Sequence, residues 1–264
     1  MNPYTDIASE IYAPSKGSIP PGVKIRTGKN GSLALTRVEI TRQGLARPAG
    51  RYSLLEMPSL TTTDAQNKQY CTAVAGEIRA MLPPAGPVLV VGIGNREMTA
   101  DALGPRTADS IWVTRGLDRS GELNLREVAC ISPGAAGATG ISLALRLGGL
   151  VRAIKPAAII CVDSLCTSDP ARLGRSVQIS DTGLCPTRPQ SGKCITRAML
   201  GVPVLAVGVP TLMEANKLTG RPGLVVVPTQ LDSVIKNGSG LLSLAINKAL
   251  QPRLSLAELC YLTS

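Results

Sequence analysis

The sequence predicts an α/β fold of three layers, an open and mostly parallel sheet with helices on both faces. Five runs, 88–93 (VLVVGI), 127–132 (EVACIS), 157–162 (AAIICV), 203–208 (PVLAVG) and 224–227 (LVVV), are apolar almost throughout, as strands covered on both sides are. Stretches with helical spacing lie between them, at roughly 106–117, 139–154 and 229–250, and this strand–helix–strand alternation sets neighbouring strands in parallel. With 264 residues and 44% hydrophobic content, the chain can bury a sizeable core.

The N-terminal part reads differently. Residues 1–32 are rich in Pro, Gly and polar side chains and predict a loosely structured leader. LALTRVEIT at 33–41 and RYSLLEM at 51–57 predict two short strands around a turn-rich link. The spacing over 63–82 predicts a helix with Thr63 or Asp64 as N-cap and Pro83-Pro84 as its stop. Residues 33–264 are therefore expected to form a single α/β domain with a small peripheral β element near 33–57.

Composition excludes several kinds of chemistry. The chain has no His, so Ser-His-Asp and Cys-His catalysis and His-ligated zinc are ruled out in their usual forms. The formal charge of +10 comes from scattered Lys and Arg, and there is no Phe and a single Trp to stack on bases. A soluble basic surface is expected, without direct nucleic-acid binding. The seven cysteines contain no CxxC pair, and several lie in apolar runs, which predicts buried free thiols in a reducing compartment. MNPYTDIASEIYAP lacks the basic and apolar regions of a signal peptide, and no apolar stretch is long enough to span a bilayer. A cytoplasmic protein with no membrane association is expected.

The chemistry centres on VVGIGNREMTADALGP, residues 90–105. Gly92-x-Gly94 begins a dinucleotide fingerprint, but Glu97 stands where the third glycine belongs and would face the phosphates. The glycines suit a tight turn after a strand. Asp101 follows that turn, and Asp163 in IICVDSLC ends another predicted strand. Ligands of open α/β sheets sit beyond the carboxyl ends of the strands, so these two acids can meet in one cleft. Two such carboxyls divide into one protonated and one ionised group, which suffices for acid–base hydrolysis of an amide without His. Each aspartate also fits a helix N-cap.

Three further stretches fall at the same ends of strands. SPGAAGATG at 132–140 offers backbone N–H groups to an anion or an oxyanion, with Gly134, Gly137 and Thr139 as candidate contacts. QISDTG adds Asp181 and GVPT adds Thr211 to the candidate substrate contacts.

The ordered set GIGN…TADALGP, SPGAAGATG, CVDSL, QISDTG and GVPT resembles the germination protease family of endospore-forming bacteria. LTRVEI at 35–40, VTR at 113–115 and VVVPTQLDSVIKNGSGLLSLAINKALQP extend the resemblance over most of 33–252. It implies an aspartic-type endopeptidase that degrades small acid-soluble spore proteins, with Asp101 and Asp163 as its essential acids. It also implies a homotetramer in the spore cytoplasm and a fold like that of the hydrogenase-maturation peptidases. Those relatives bind a metal through a His; without His, neither metal nor cofactor is expected here. The family is made as a zymogen that cuts itself within Thr-Glu-(Phe/Ile)-Ala-Ser-Glu-type stretches. TDIASE at 5–10 matches that pattern and places self-cleavage between Asp6 and Ile7. LCPTRPQSGKC at 184–194 departs from the family in being Pro-rich and basic. Two other readings stay open: a catalytically silent binding module for spore or DNA-associated proteins, and a nucleotide-binding α/β protein.

Overall fold

A computed structural model describes residues 5–12, 17–62, 67–117, 124–134, 140–185, 194–214 and 224–263. Among these, nine strands form one sheet: β1 (Val23–Asn30), β2 (Leu33–Ile40), β3 (Gly50–Glu56), β4 (Val88–Gly92), β5 (Val128–Ile131), β6 (Ala158–Thr167), β7 (Ser176–Ser180), β8 (Val204–Glu214) and β9 (Val225–Val226). Their order is β1-β2-β3-β7-β8-β6-β4-β5, with β9 paired to β8. Four of the five apolar runs give parallel strands, β5, β4, β6 and β8, but the fifth, 224–227, is exposed and gives β9, which is antiparallel to β8. All the other pairings are antiparallel, so the sheet is mixed. β7 follows β6 after a connection too short for the crossover that a parallel neighbour needs.

The helices are α1 (Ala8–Ile11), α2 (Lys68–Met81), α3 (Leu103–Asp109), α4 (Leu143–Ile154), α5 (Arg197–Leu200), α6 (Leu231–Leu250) and α7 (Leu256–Leu262). Strand alternation divides them between the two faces. Val88, Val90, Ile160, Val162, Leu205 and Val207 pack in one core with α2, α3, α6 and α7. Their neighbours Leu89, Val91, Ile159, Cys161 and Val204 face the opposite way, beneath α4 and α5. This gives the three layers. α2 is capped by Asn67, whose side chain accepts from the backbone N–H groups of Gln69 and Tyr70, and it stops just before the two prolines. The expected caps Thr63 and Asp64 lie outside the described residues.

The stretch expected to be a loose leader holds regular structure. β1 pairs along its whole length with β2, and Ile7, Ala8 and Tyr12 are buried. β2 explains how. Leu33 and Leu35 enter the main core, whereas Val38 and Ile40 turn to the other face and pack on Ala8 and Tyr12. The two ends of one strand thus bury opposite faces, and the N-terminal segment covers the second. The expectation of free thiols also fails at one place. Cys185 and Cys194 form a disulfide, brought together by the bridge between Leu184 and Ile195. Cys71 and Cys161, as expected, are buried.

Close backbone approaches fix α3 on the sheet. A Cβ at Gly104 would stand 2.2 Å from the Ile93 carbonyl oxygen and 2.4 Å from that of Val162. Neither can retreat without breaking the sheet. Gly104→Ala is therefore expected to lower the unfolding free energy by about 3 kcal/mol, the upper range for overpacking a rigid site. Gly76→Ala, in a helix with open space around it, should instead raise it by roughly 0.5–1 kcal/mol. Paired denaturant titrations of the two variants check both signs.

Candidate active site

The β4–β6 register sets the site. Gly92 pairs with Val162, and the Ile93 N–H donates to the Val162 carbonyl at 2.8 Å, so the turn after β4 lies beside Asp163. Gly94, at φ +127°, continues that turn, and a Cβ there would stand 2.0 Å from the Asp101 carbonyl oxygen. Gly92 is pressed as tightly against Gly104, where a Cβ would approach the carbonyl oxygen to 2.2 Å. The glycines of VVGIGNREMTADALGP thus allow a helix and a turn to close onto strand ends. They carry no phosphate cradle.

Asp101 ends a 3-10 turn, Thr99–Asp101, and is half-buried. Its Oδ2 accepts the Asn95 N–H at 2.7 Å, and Thr211 Oγ1 donates to the Ala100 carbonyl at 3.0 Å, fastening the turn to β8. Asp163 lies within β6, which runs five residues beyond its predicted end because Asp163–Thr167 go on pairing with β8. Its Oδ1 accepts from the Ser164 N–H at 2.8 Å. A Cβ on its partner Gly208 would come within 2.4 Å of the Asp163 carbonyl oxygen. Both acids line a cleft of about 680 Å³, together with Asp6, Arg47, Gly134 and Gln178.

Electrostatics separate the two carboxyls. Burial pushes Asp163 well above the usual carboxylate range, and the charges of Asp101 and Asp6 push it further. Burial also raises Asp101, but the Asn95 N–H opposes that by stabilising its ionised form. Asp163 is the more easily protonated of the pair. Asp101 is the more readily ionised.

The other candidates are distributed more widely. Gly134, at φ +72°, lines the cleft. Gly137 and Thr139 lie outside the described residues. Thr211 is fully buried inside β8, which also runs past its predicted end, and it positions the Asp101 turn. Asp181 sits off the cleft lining, where it accepts from the backbone and the guanidinium of Arg51, each at 2.7 Å.

Asp6 lines the cleft itself, and Ile7 is buried next to it against Leu54 and Leu165. The Asp6 N–H donates to the Cys166 carbonyl at 2.7 Å, and Asp6 Oδ2 accepts the Cys166 N–H at 2.8 Å. Arg47 reaches Asp6 Oδ1 at 3.1 Å. The Gln178 side chain donates to the Asp6 carbonyl at 2.8 Å and accepts the Ala8 N–H at 2.9 Å. Neither Arg47 nor Gln178 is among the residues expected from sequence. The one available signal for Gln178 was its place in QISDTG, where a polar side chain alternates with buried Val177 and Ile179.

Among the described residues, no three His, Cys, Asp or Glu side chains are grouped so as to hold a metal. No helix there is long and apolar enough to cross a membrane.

Comparison with known proteins places the chain in a family. Residues 10–222 match the family described as germination protease. The germination protease of Caldanaerobacter subterraneus subsp. tengcongensis is 33% identical, over 97% of this chain and 96% of its own length. That of Clostridium tetani is 28% identical over 98% of both chains, and that of Priestia megaterium 32% identical over 81% of this chain and 62% of its own. Among solved structures, the NiFe hydrogenase maturation protease HycI from Thermococcus kodakarensis superposes with a TM-score of 0.37 and 13% identity, covering 64% of this chain and 98% of that one. By its match to the family and to relatives along nearly its whole length, the chain is a peptidase of the germination protease family.

Proposed function

We propose that Asp101 and Asp163 are the acid–base pair of an aspartic-type endopeptidase. The observation that carries this reading is two half-buried carboxyls in one cleft, with opposed influences on their protonation. Ionised Asp101 takes a proton from a water as that water's oxygen attacks the peptide carbonyl carbon. Protonated Asp163 gives its proton to the carbonyl oxygen, which forms a neutral gem-diol. The C–N bond then breaks as the amine nitrogen receives the proton held by Asp101. A diol proton returns to Asp163, and one water has been added across the peptide bond.

The substrates in this reading are small acid-soluble spore proteins, cut at Thr-Glu-(Phe/Ile)-Ala-type sites during germination. The enzyme works as a homotetramer in the cytoplasm of the spore core. It is made as a zymogen that cuts between Asp6 and Ile7, and the place of Asp6 in the lining of the same cleft supports this.

A peptide containing TEFASE, incubated with the wild type and with Asp101→Asn and Asp163→Asn, tests the pair. Each substitution should lower kcat/KM by at least about 100-fold, the scale of losing an acid or base; undiminished cleavage by both variants rejects the assignment. Intact mass after incubation at mildly acidic pH should show loss of residues 1–6 in the wild type alone.

The pH profile should be a bell. Rate falls on the alkaline side as Asp163 loses its proton, and on the acid side as Asp101 gains one. Both carboxyls are raised, so the acid limb is displaced above the ordinary carboxylate range.

The same burial sets a sign for stability. A carboxyl whose folded pKa is raised contributes fully below its unfolded value, and that contribution is lost as pH rises through the folded pKa. Asp163→Asn should therefore melt higher than the wild type at neutral pH, by at least ~2 °C, the shift for about 1 kcal/mol in a chain of this size. The gap should close on acidification, as scanning calorimetry across the pH range would show.

A further inference from the structure

Residues 5–10 make contacts of a kind that a bound peptide would make. Three side chains of the segment each meet a different set of neighbours. The Asp6 carboxylate lies between the Arg47 guanidinium and the Cys166 N–H. Ile7 is fully enclosed against Leu54 and Leu165. Leu165 lies two residues beyond Asp163 on β6, so both side chains leave the same face of that strand.

Glu10 is 3% exposed, and its carboxylate accepts from Thr167 Oγ1 and, at 2.7 Å each, from the Ser168 N–H and Oγ. Arg172 stands 3.4 Å from it. Burial raises the Glu10 carboxyl, yet donors from Thr167, Thr5 and Ser168 hold it below the usual range, as befits a site built for an anion. Gln178 meanwhile grips backbone only, accepting from Ala8 and donating to Asp6, so it fixes the register of any chain laid there.

We propose that these sets of neighbours are the substrate subsites, with Arg47 reading the acid before the cut bond, Leu54 and Leu165 the apolar residue after it, and Thr167, Ser168 and Arg172 a second acid four positions beyond the first. This rests on the peptidase reading above and adds the residues that would give it specificity. The chain's own segment then occupies the track that a substrate must take, so a substrate has to displace it.

The test crosses enzyme and peptide variants, using the full chain. Four peptides are compared: TEFASE, and forms with Gln at the first acid, at the second, or at both. The wild type should prefer Glu over Gln at least tenfold in kcat/KM at each position. Arg47→Gln should erase the preference at the first acid and keep it at the second, while Arg172→Gln should do the reverse. The peptide substitutions leave the protein untouched, so they separate recognition from folding.

Equal losses for Glu and Gln peptides in both variants would overturn the subsites and leave the peptidase reading standing. Hydrogen exchange of residues 5–12 in the presence of each peptide gives a readout without turnover. Faster exchange with TEFASE than with the Gln forms, in a chain that cuts none of them, would support the subsites and reject the peptidase reading. Exchange unchanged by saturating TEFASE would overturn the subsites outright.

Discussion

The site depends on the parallel pairing of β4 with β6 and on the absence of side chains where their ends meet a helix. That pairing sets the turn after Gly92 beside Asp163, and Gly92, Gly94 and Gly104 let backbone carbonyls approach at distances no Cβ would allow. A methyl group at any of these positions would lift α3 or the Asp101 turn off the sheet. The carboxyls would then part. Thr211 adds a single hydrogen bond from β8 to the same turn, so three neighbouring strands hold the geometry of two side chains.

Bringing two carboxyls together out of water works against the fold, and the molecule limits the cost unequally. Each charged form has one backbone N–H as a partner, Asn95 for Asp101 and Ser164 for Asp163, but Asp163 is the more strongly desolvated and has two other acids nearby. The resulting imbalance gives one group that readily holds a proton and one that readily takes one. The chemistry and the instability arise from the same burial.

The N-terminal segment has a double character. It is part of the core, because Ala8 and Tyr12 cover the second face of β2 and Ile7 closes over Leu54. It is also held by hydrogen bonds from residues distant in sequence, through Arg47, Gln178, Thr167 and Ser168. Such contacts are directional and can be matched by another chain of similar charge spacing, which buried apolar packing alone would not require.

The sequence by itself determined the parallel half of the sheet, since runs such as AIICV are stable only when both faces are covered. It also singled out Asp101 and Asp163 as two acids of one cleft, although Asp163 lies inside β6 and not at its end, and its ordered motifs identified the family. Tertiary structure decided the rest. β1 and β7 escaped because VKIRTGKN and SVQIS carry polar alternation that reads equally as loop, and only pairing with β2, β3 and β8 orders them. Arg47, Gln178 and Asp6 meet across sequence separations of 41 and 172 residues, which no local pattern encodes. Periodicity records which face of an element is buried. It does not record which distant side chain will bring a charge to that face, because that choice is made by register and chain reversal once the core has formed.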